Sequence, residues 1–373
     1  MLRRKAAGDL MEMIRARLGC LGGKKIVLRR GRRVPRAARV AMIGSTSVVS
    51  FSPRPVSNGA CVRPSGRRVP DAVTSRSVSR ARSVAALLLA VVLAGCGSIP
   101  REGNQPLDAK LRETIHNVPV PAAAATIVVT TFRPRGRGPF PWIVLSHGTA
   151  PTAAANRAMG RYRPLPAVNE WVRRGYAVVA PVRGGYGASG GERFGDSYGT
   201  CARPDFRRAG EGGALDLLAT IDWAKQQPDL DPRRWLLVGQ SAGGFASIYT
   251  ASKRPEGLHA VLAFAPGRGG RPDTHPGEPC APDAVAEVFK SVAPRIAVPV
   301  LWFYAENDQY IGPAAQRLWF SAFQDAGGRG ELVVIPPFPA ARGHGVFPST
   351  AGVPLWTRAV VEFFHSQLID LPF

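Results

Sequence analysis

The sequence predicts an α/β fold, a mostly parallel sheet covered by helices on both faces. Three observations carry this. Short apolar runs of strand character alternate with segments of helical period from Thr126 onward. Most of the runs are continuously apolar, as strands buried on both faces must be. In "WLLVGQSAGGFASIYTA" a glycine-bounded corner turns one such strand directly into a helix. The 373 residues suffice for one large domain of this class or two small ones.

Each element follows from its local pattern. "TIVVTTF" (126–132) and "WIVLSHG" (142–148) are rich in β-branched residues and read as strands. A helical segment over Ala167–Arg174 precedes the strand "YAVVAP" (176–181). A longer helix covers Arg207–Gln227, followed by the strand "WLLVG" (235–239) and the helix after the corner. "LHAVLAFAPG" (258–267) is the next strand. A Gly/Pro-rich insert at about 266–283 separates it from a helix over Val285–Ala293. "VPVLWFYAEND" (298–308), a helix over Ala314–Asp325, the strand "ELVVIP" (331–336) and a helix over Leu355–Leu368 complete the pattern. Residues 121–373 are read as one domain, and 96–120, polar and without a strong period, as a tether.

The corner is Gly239-Gln240-Ser241-Ala242-Gly243. A strand-to-helix turn this tight strains its central residue, and it needs small residues two before and two after, where strand and helix crowd. It exposes a hydroxyl at a helix N-terminus, where unpaired N–H groups and the helix dipole favour negative charge. This is the G-x-S-x-G nucleophile elbow. A solvated serine in an ordinary glycine-rich turn is the bland alternative.

With the elbow in this setting, "LSHGTA", "RGGYGASGG", "GQSAGG", "YAENDQYIGP" and "GHG", in that order, resemble the α/β-hydrolase superfamily over essentially residues 120–370. The flavour is that of dienelactone-hydrolase-like and prolyl-oligopeptidase-like serine hydrolases. The resemblance implies the chain order nucleophile, acid, histidine. His344, in the Gly-flanked loop "ARGHGVFP", is then the base. His365, at helical period in "VVEFFHSQLI", reads as a surface or packing residue. Asp308, at a strand end, matches the acid, with Glu306 as the alternative. The oxyanion hole needs two backbone donors. Ala242 N–H supplies one, and the HG turn His147-Gly148-Thr149 implies Thr149 N–H as the other. Arg183, Tyr186 and Tyr310 are candidates for contact with substrate, Arg183 through a substrate carboxylate or, alternatively, as a brace between loops. Dienelactone hydrolases proper carry cysteine where this chain has Ser241, so the resemblance does not extend to that activity.

The five cysteines divide by position. "SRARSVAALLLAVVLAGCGS" carries Arg80 and Arg82, an apolar run from Val84 to Ala94, then Gly95-Cys96. That is the pattern of a signal peptide over 73–95, with a run of about 11 residues where a spanning helix needs about 20. Leu93-Ala94-Gly95-Cys96 resembles a bacterial lipobox, which implies lipid on Cys96 and an exported, membrane-anchored protein, at the outer membrane facing the periplasm in a Gram-negative cell. Residues 1–72, with Cys20 and Cys61, are Arg-rich and broken by Gly and Pro. They read as an unfolded arm or as sequence upstream of the true start, and the second is favoured, at Val73 or Val78. Cys201 and Cys280 remain, an even pair in an exported domain, and are expected to form a disulfide over the active site.

Charge narrows the function classes. Of the formal +23, residues 1–95 hold twenty basic against three acidic residues (Asp9, Glu12, Asp71), which leaves only +6 for the rest. No basic stripe interleaved with aromatics runs through the domain, so a nucleic-acid partner is not expected. No CxxC or His cluster suggests a metal, and no cofactor is implied. The sequence reading is therefore a lipid-anchored serine esterase acting on a small-molecule ester. Hydrolysis of a short peptide or acyl-aminoacyl amide is the alternative within the class, and a catalytically silent binding lipoprotein the alternative outside it.

Overall fold

A computed structural model describes residues 105–150, 152–191 and 197–373. The leader, the signal segment and Cys96 lie outside the described residues. Strands β1 (Thr114–Val120), β2 (Ala125–Phe132), β3 (Phe140–Ser146), β4 (Ala177–Val182), β5 (Leu230–Gln240), β6 (Leu258–Phe264), β7 (Val300–Ala305) and β8 (Gly330–Ile335) form one eight-stranded sheet. Their order is β1-β2-β4-β3-β5-β6-β7-β8. The β1–β2 and β2–β4 pairs are antiparallel, and every other pair is parallel. The expected α/β architecture is present, with one strand more than the sequence reading contained.

That strand is β1, which corrects the tether expected over 96–120. Only Val118 and Val120 of "TIHNVPV" are buried, and Pro119 interrupts the ladder donors, which an edge strand tolerates. An edge strand with two buried side chains leaves little pattern to read. Just before it, Glu113 is buried and ion-paired with Arg161 and Arg163, which ties this end of the chain to the domain.

Helices α1 (Leu165–Arg173), α2 (Phe206–Lys225), α3 (Ala242–Ala251), α4 (Pro282–Val292), α5 (Pro313–Asp325) and α6 (Val353–Ser366) cover the sheet. Alternate residues of one strand feed opposite faces. Trp142 and Val144 of β3 pack into a core with Phe245 of α3 and Leu217 of α2, while Ile143 and Leu145 pack with Trp171 of α1 and Trp356 of α6. Every residue of α3 is buried, so the elbow helix is gripped on all sides. No helix among the described residues is long and apolar enough to cross a membrane.

Parallel register brings the C-terminal ends of the central strands to one edge. Ser146 of β3 lies beside Gly239 of β5, Gln240 beside Phe264 of β6, and Phe264 beside Phe303 of β7. Ligands of open α/β sheets bind outside this edge, and the loops that follow these strands carry the candidate site.

The expected disulfide is present. Cys201 sits in the turn of a small ladder, Gly199–Thr200 with Arg203–Pro204, and is bonded to Cys280 in the insert with a Cα–Cα distance of 5.4 Å. Cys201 is exposed, whereas Cys280 is buried. The bond closes a separation of 79 residues. In the chain-entropy model such a loop stabilises by about 4 kcal/mol. Reduction, or the pair Cys201→Ser with Cys280→Ser, should lower the thermal midpoint by several degrees. An unchanged midpoint by calorimetry would contradict that contribution.

Candidate active site

The elbow is built as its sequence demands. Ser241 has φ 55° and ψ −122°, a left-handed value that costs a non-glycine residue about 1–3 kcal/mol. Its N–H donates to the Phe264 carbonyl at 2.8 Å, and its carbonyl accepts the first α3 bond from Phe245 at 3.0 Å. The flanking glycines answer to space. A Cβ on Gly239 would sit 2.3 Å from the Gly243 carbonyl oxygen, and one on Gly243 would sit 2.2 Å from that of Ser146. Strand, helix and β3 loop are thus packed against each other at van der Waals limits, and Ser241 is left half-buried at the rim of a cleft.

Asp308 and His344 meet across two loops. Asp308 follows β7 and is 2% exposed. Its Oδ1 accepts N–H bonds from Tyr310 (2.8 Å) and Ile311 (3.1 Å), which orients Oδ2 to accept His344 Nδ1–H at 2.8 Å. The loops are pressed together at Gly343, φ 86°, where a Cβ would come within 2.7 Å of the Asn307 carbonyl and the Asp308 nitrogen. Gln309 N–H donates to the Arg342 carbonyl at 2.9 Å, and Asn307 closes a two-bond ring with the backbone of Phe338. With Nδ1 committed to Asp308, His344 Nε2 is left as the basic nitrogen, and this buried atom has no hydrogen-bond partner. Gln240 Nε2 donates to the His344 carbonyl at 3.0 Å, linking the elbow directly to the histidine loop. Tyr310 stacks on the imidazole with centroids 4.4 Å apart and lines the same cleft as Ser241. Burial raises the pKa of its phenol. Glu306, the alternative acid, is exposed, and His365, the alternative base, is exposed on α6.

The β3 loop is braced from behind. His147 is fully buried. Its Nδ1 donates to the Gly148 carbonyl at 2.7 Å, and its Nε2 accepts the Arg183 N–H at 3.0 Å. Both nitrogens are used in the neutral form, and burial, then the Arg183 charge, hold its pKa well below the ordinary value. The Gly148 carbonyl and the Thr149 N–H belong to one planar trans peptide, so pinning the oxygen toward His147 turns that N–H the opposite way. Gly148 itself abuts the elbow, since a Cβ there would lie 3.2 Å from that of Ser241.

Two expected substrate contacts stand elsewhere. Arg183 is 1% exposed, outside the cleft lining, and its Nη1 donates to Ser146 Oγ (3.0 Å) and to the His147 carbonyl. Tyr186 is equally buried, and its hydroxyl bonds Thr149 Oγ1 at 3.1 Å. The glycines of "RGGYGASGG" let this loop fold beneath the β3 turn instead of over the cleft, so both residues brace the turn. The cleft holds about 320 Å³ and is lined by Thr149, Ser241, Ala242, Arg268 and Tyr310 among others. Three contributors were missed in the sequence: Gln240, Asn156, which brackets the Ala150 backbone with bonds of 2.7 and 3.2 Å, and Arg268. Gln240 had a signal, the variable position of the elbow pentapeptide. Asn156, in the short helix Ala153–Arg157, and Arg268, in a loop, had none. Among the described residues no group of three or more His, Cys, Asp or Glu could hold a metal ion.

Sheet order and elbow give the chain the α/β-hydrolase fold, with Ser241 and the His344–Asp308 pair on loops at one edge of its sheet. The family model described as X-Pro dipeptidyl-peptidase (S15 family) matches residues 124–278, under half of the chain. No curated protein matches. Among solved structures, an esterase of Pyrococcus furiosus is 19% identical, covers 72% of this chain and 98% of its own, and gives a TM-score of 0.50. A Klebsiella pneumoniae chain titled a dienelactone hydrolase is 17% identical over 67% of this chain and 98% of its own, TM-score 0.46. The Pyrococcus horikoshii acylaminoacyl peptidase is 15% identical over 69% of this chain and 42% of its own, TM-score 0.49. At these identities the likeness extends to the fold.

Asp216 of α2 anchors the brace, accepting the Gly184 N–H at 2.8 Å beside Arg183. Burial pushes its pKa up to about 6. The native state therefore holds this proton more tightly than the unfolded chain does, so ionising Asp216 lowers stability as pH rises from about 4 to 6, by up to about 3 kcal/mol. Asp216→Asn keeps an acceptor and removes the titration. The variant should gain on the wild type across that window in denaturant melts and hold a constant offset above it. An offset that is flat or narrows would contradict the assignment.

Proposed function

We propose that the protein is an exported, lipid-anchored serine esterase that cleaves small-molecule carboxylic esters through an acyl-enzyme. The observation that carries the reading is the buried His344 Nε2, left without a partner while Asp308 fixes Nδ1. A buried acceptor without a bond costs about 1–3 kcal/mol, and here it recovers that bond by taking the Ser241 proton. Ser241 Oγ attacks the ester carbonyl and His344 Nε2 accepts the hydroxyl proton. Asp308 holds the imidazole in its tautomer and stabilises the cation that forms. The tetrahedral oxyanion accepts bonds from Ala242 N–H and Thr149 N–H, the latter turned away from His147 by its peptide plane. His344 returns the proton to the leaving alcohol. Water, deprotonated by His344, then attacks the acyl carbonyl and releases the acid and Ser241.

A cleft of about 320 Å³ suits a small ester, at the low end of small-molecule sites. The match to the S15 family model supports a second reading, hydrolysis of a short-peptide or acyl-aminoacyl amide by the same residues. The Arg80/Arg82 flank, the apolar run and Leu93-Ala94-Gly95-Cys96 support the anchor, and the Cys201–Cys280 bond agrees with an oxidising compartment.

Ser241→Ala should lower kcat on 4-nitrophenyl butyrate by about 10⁴-fold or more while the melting curve stays cooperative. Residual activity near the wild-type rate would refute the nucleophile. Cys96→Ser should abolish incorporation of labelled palmitate and release the protein from the membrane fraction. Wild-type protein without lipid in the cytosol would refute the anchor.

A further inference from the structure

One length of the cleft wall has no part in the chemistry above. The segment "SYGTCARPDF" (197–206) starts where Tyr198 and Gly199 line the cleft beside Ser241, and it ends at Phe206, the first residue of α2. Its ladder is two residues long on each side and largely exposed. A hairpin of that size does not hold itself in place.

Three attachments hold it. The Tyr198 ring stacks on the buried Phe206 ring, with centroids 4.8 Å apart and planes 26° apart. The Tyr198 carbonyl accepts the Asp205 N–H at 2.6 Å, and Asp205 caps α2 by accepting the Arg208 N–H at 2.9 Å. The third attachment is the Cys201–Cys280 bond to the insert. The insert is itself fixed to the acid loop, since Gly277 N–H donates to the Gln309 carbonyl at 2.7 Å and Gly312 N–H to the Gly277 carbonyl at 2.9 Å. Cys280 also backs the opposite wall, where its N–H donates to the carbonyl of Gly269, a cleft residue, at 2.8 Å. One covalent link thus ties together two lengths of wall, 198–199 and 267–270.

The two lengths offer different things to a substrate. The stretch 267–270 is mostly glycine, and it is closely backed: a Cβ on Gly267 would lie 2.2 Å from the Trp319 ring, and one on Gly270 3.0 Å from Tyr310. Tyr198 puts a large, half-buried ring at the cleft. Of the two tyrosines that line it, Tyr310 is stacked on His344, whereas Tyr198 stacks on α2 and touches no member of the catalytic group. A ring fixed in this way excludes any chain that would overlap it, because packed side chains make room for added methylenes only at a cost.

We propose that Tyr198, held in place by the Cys201–Cys280 bond, limits the length of chain that the cleft accepts, so that the preferred substrates are short-chain esters. The inference rests on the esterase reading of Ser241 and adds which residue bounds the ester.

The test is a ratio of kcat/KM values, longer chain over shorter. 4-Nitrophenyl acetate, butyrate and octanoate vary the acyl side, and ethyl, butyl and octyl acetate vary the alcohol side. In at least one series the wild type should prefer the butyl-length member over the octyl-length member by about tenfold or more, the scale that even one misfitting methylene can reach. In that series Tyr198→Ala should raise the octyl-to-butyl ratio by about tenfold, whereas Tyr198→Phe, which keeps the ring, should leave it unchanged. Tyr198→Trp should act the opposite way and shift preference from the butyl-length member to the two-carbon one. Cys201→Ser with Cys280→Ser should raise the octyl-to-butyl ratio as Tyr198→Ala does. General loss of activity or of folded protein cancels in each ratio, and Tyr198→Trp decides if Tyr198→Ala does not fold. A wild type that takes octyl-length esters as readily in both series overturns the inference. So does a limit that Tyr198→Ala or Tyr198→Trp leaves in place, or one that Tyr198→Phe relieves as fully as Tyr198→Ala. An unchanged ratio in the cysteine pair overturns the part assigned to the bond. If Ser241→Ala abolishes hydrolysis of the butyrate, the esterase reading survives each of these results. Hydrolysis that persists in Ser241→Ala removes the esterase reading itself.

Discussion

A single backbone conformation governs this molecule, the left-handed turn at Ser241. It places a non-glycine residue at φ 55° between a buried strand and a buried helix. The turn survives because its surroundings leave no relaxed alternative. Gly239 and Gly243 have no room for a side chain, and the Ser241 N–H is bonded to the neighbouring strand. Strain of this kind persists only where packing over-determines it. The sheet supplies that packing from both faces, through two cores that share every central strand. The architecture thereby presents one hydroxyl at a helix N-terminus, in a position it could not reach from an ordinary loop.

Around that hydroxyl the polar groups form two separate supports. One runs from Asp308 through His344 and continues through its carbonyl to the Gln240 side chain, so the histidine loop is joined to the residue next to Ser241 by a bond as well as by the sheet. The other runs from Asp216 through the Arg183 loop to His147 and the Gly148 peptide. The first fixes a proton acceptor, and the second fixes a peptide dipole. Neither uses a residue of the other, and both rest on loops at the same edge of the sheet. Preorganised dipoles of this kind do not have to reorient when charge develops.

Much of this was legible in the sequence, for a physical reason. Strands buried on both faces must be apolar throughout, so β3, β4, β6 and β7 were readable, and the elbow announces itself because only glycine fits at 239 and 243. Ser241, Asp308 and His344, the expected nucleophile, acid and base, were ordered through the resemblance to α/β-hydrolases, and their local patterns alone would not have paired them. Edge strand β1 escaped because only two of its side chains are buried. Arg183 and Tyr186 fell behind the β3 turn instead of into the cleft because glycine-rich sequence sets flexibility of path, not direction. Arg268 was illegible because its bond to Thr149 reaches across a long sequence separation, and Asn156 because the one-turn helix that carries it is too short to leave a periodic pattern. Of the two cysteines, pairing could be inferred by elimination, whereas the burial of Cys280 depends on how the insert packs.

In the proposed function, the elbow, the His344–Asp308 pair and the braced β3 turn act as one acyl-transfer site. A crystal structure of the protein inactivated with a small alkyl fluorophosphonate tests it most directly. Phosphorus should be bonded to Ser241 Oγ, with the phosphoryl oxygen within about 3 Å of both Ala242 N and Thr149 N. His344 Nε2 should then lie within hydrogen-bond reach of Ser241 Oγ or of the remaining ester oxygen. An adduct on another residue, or a phosphoryl oxygen turned away from both nitrogens, would contradict it.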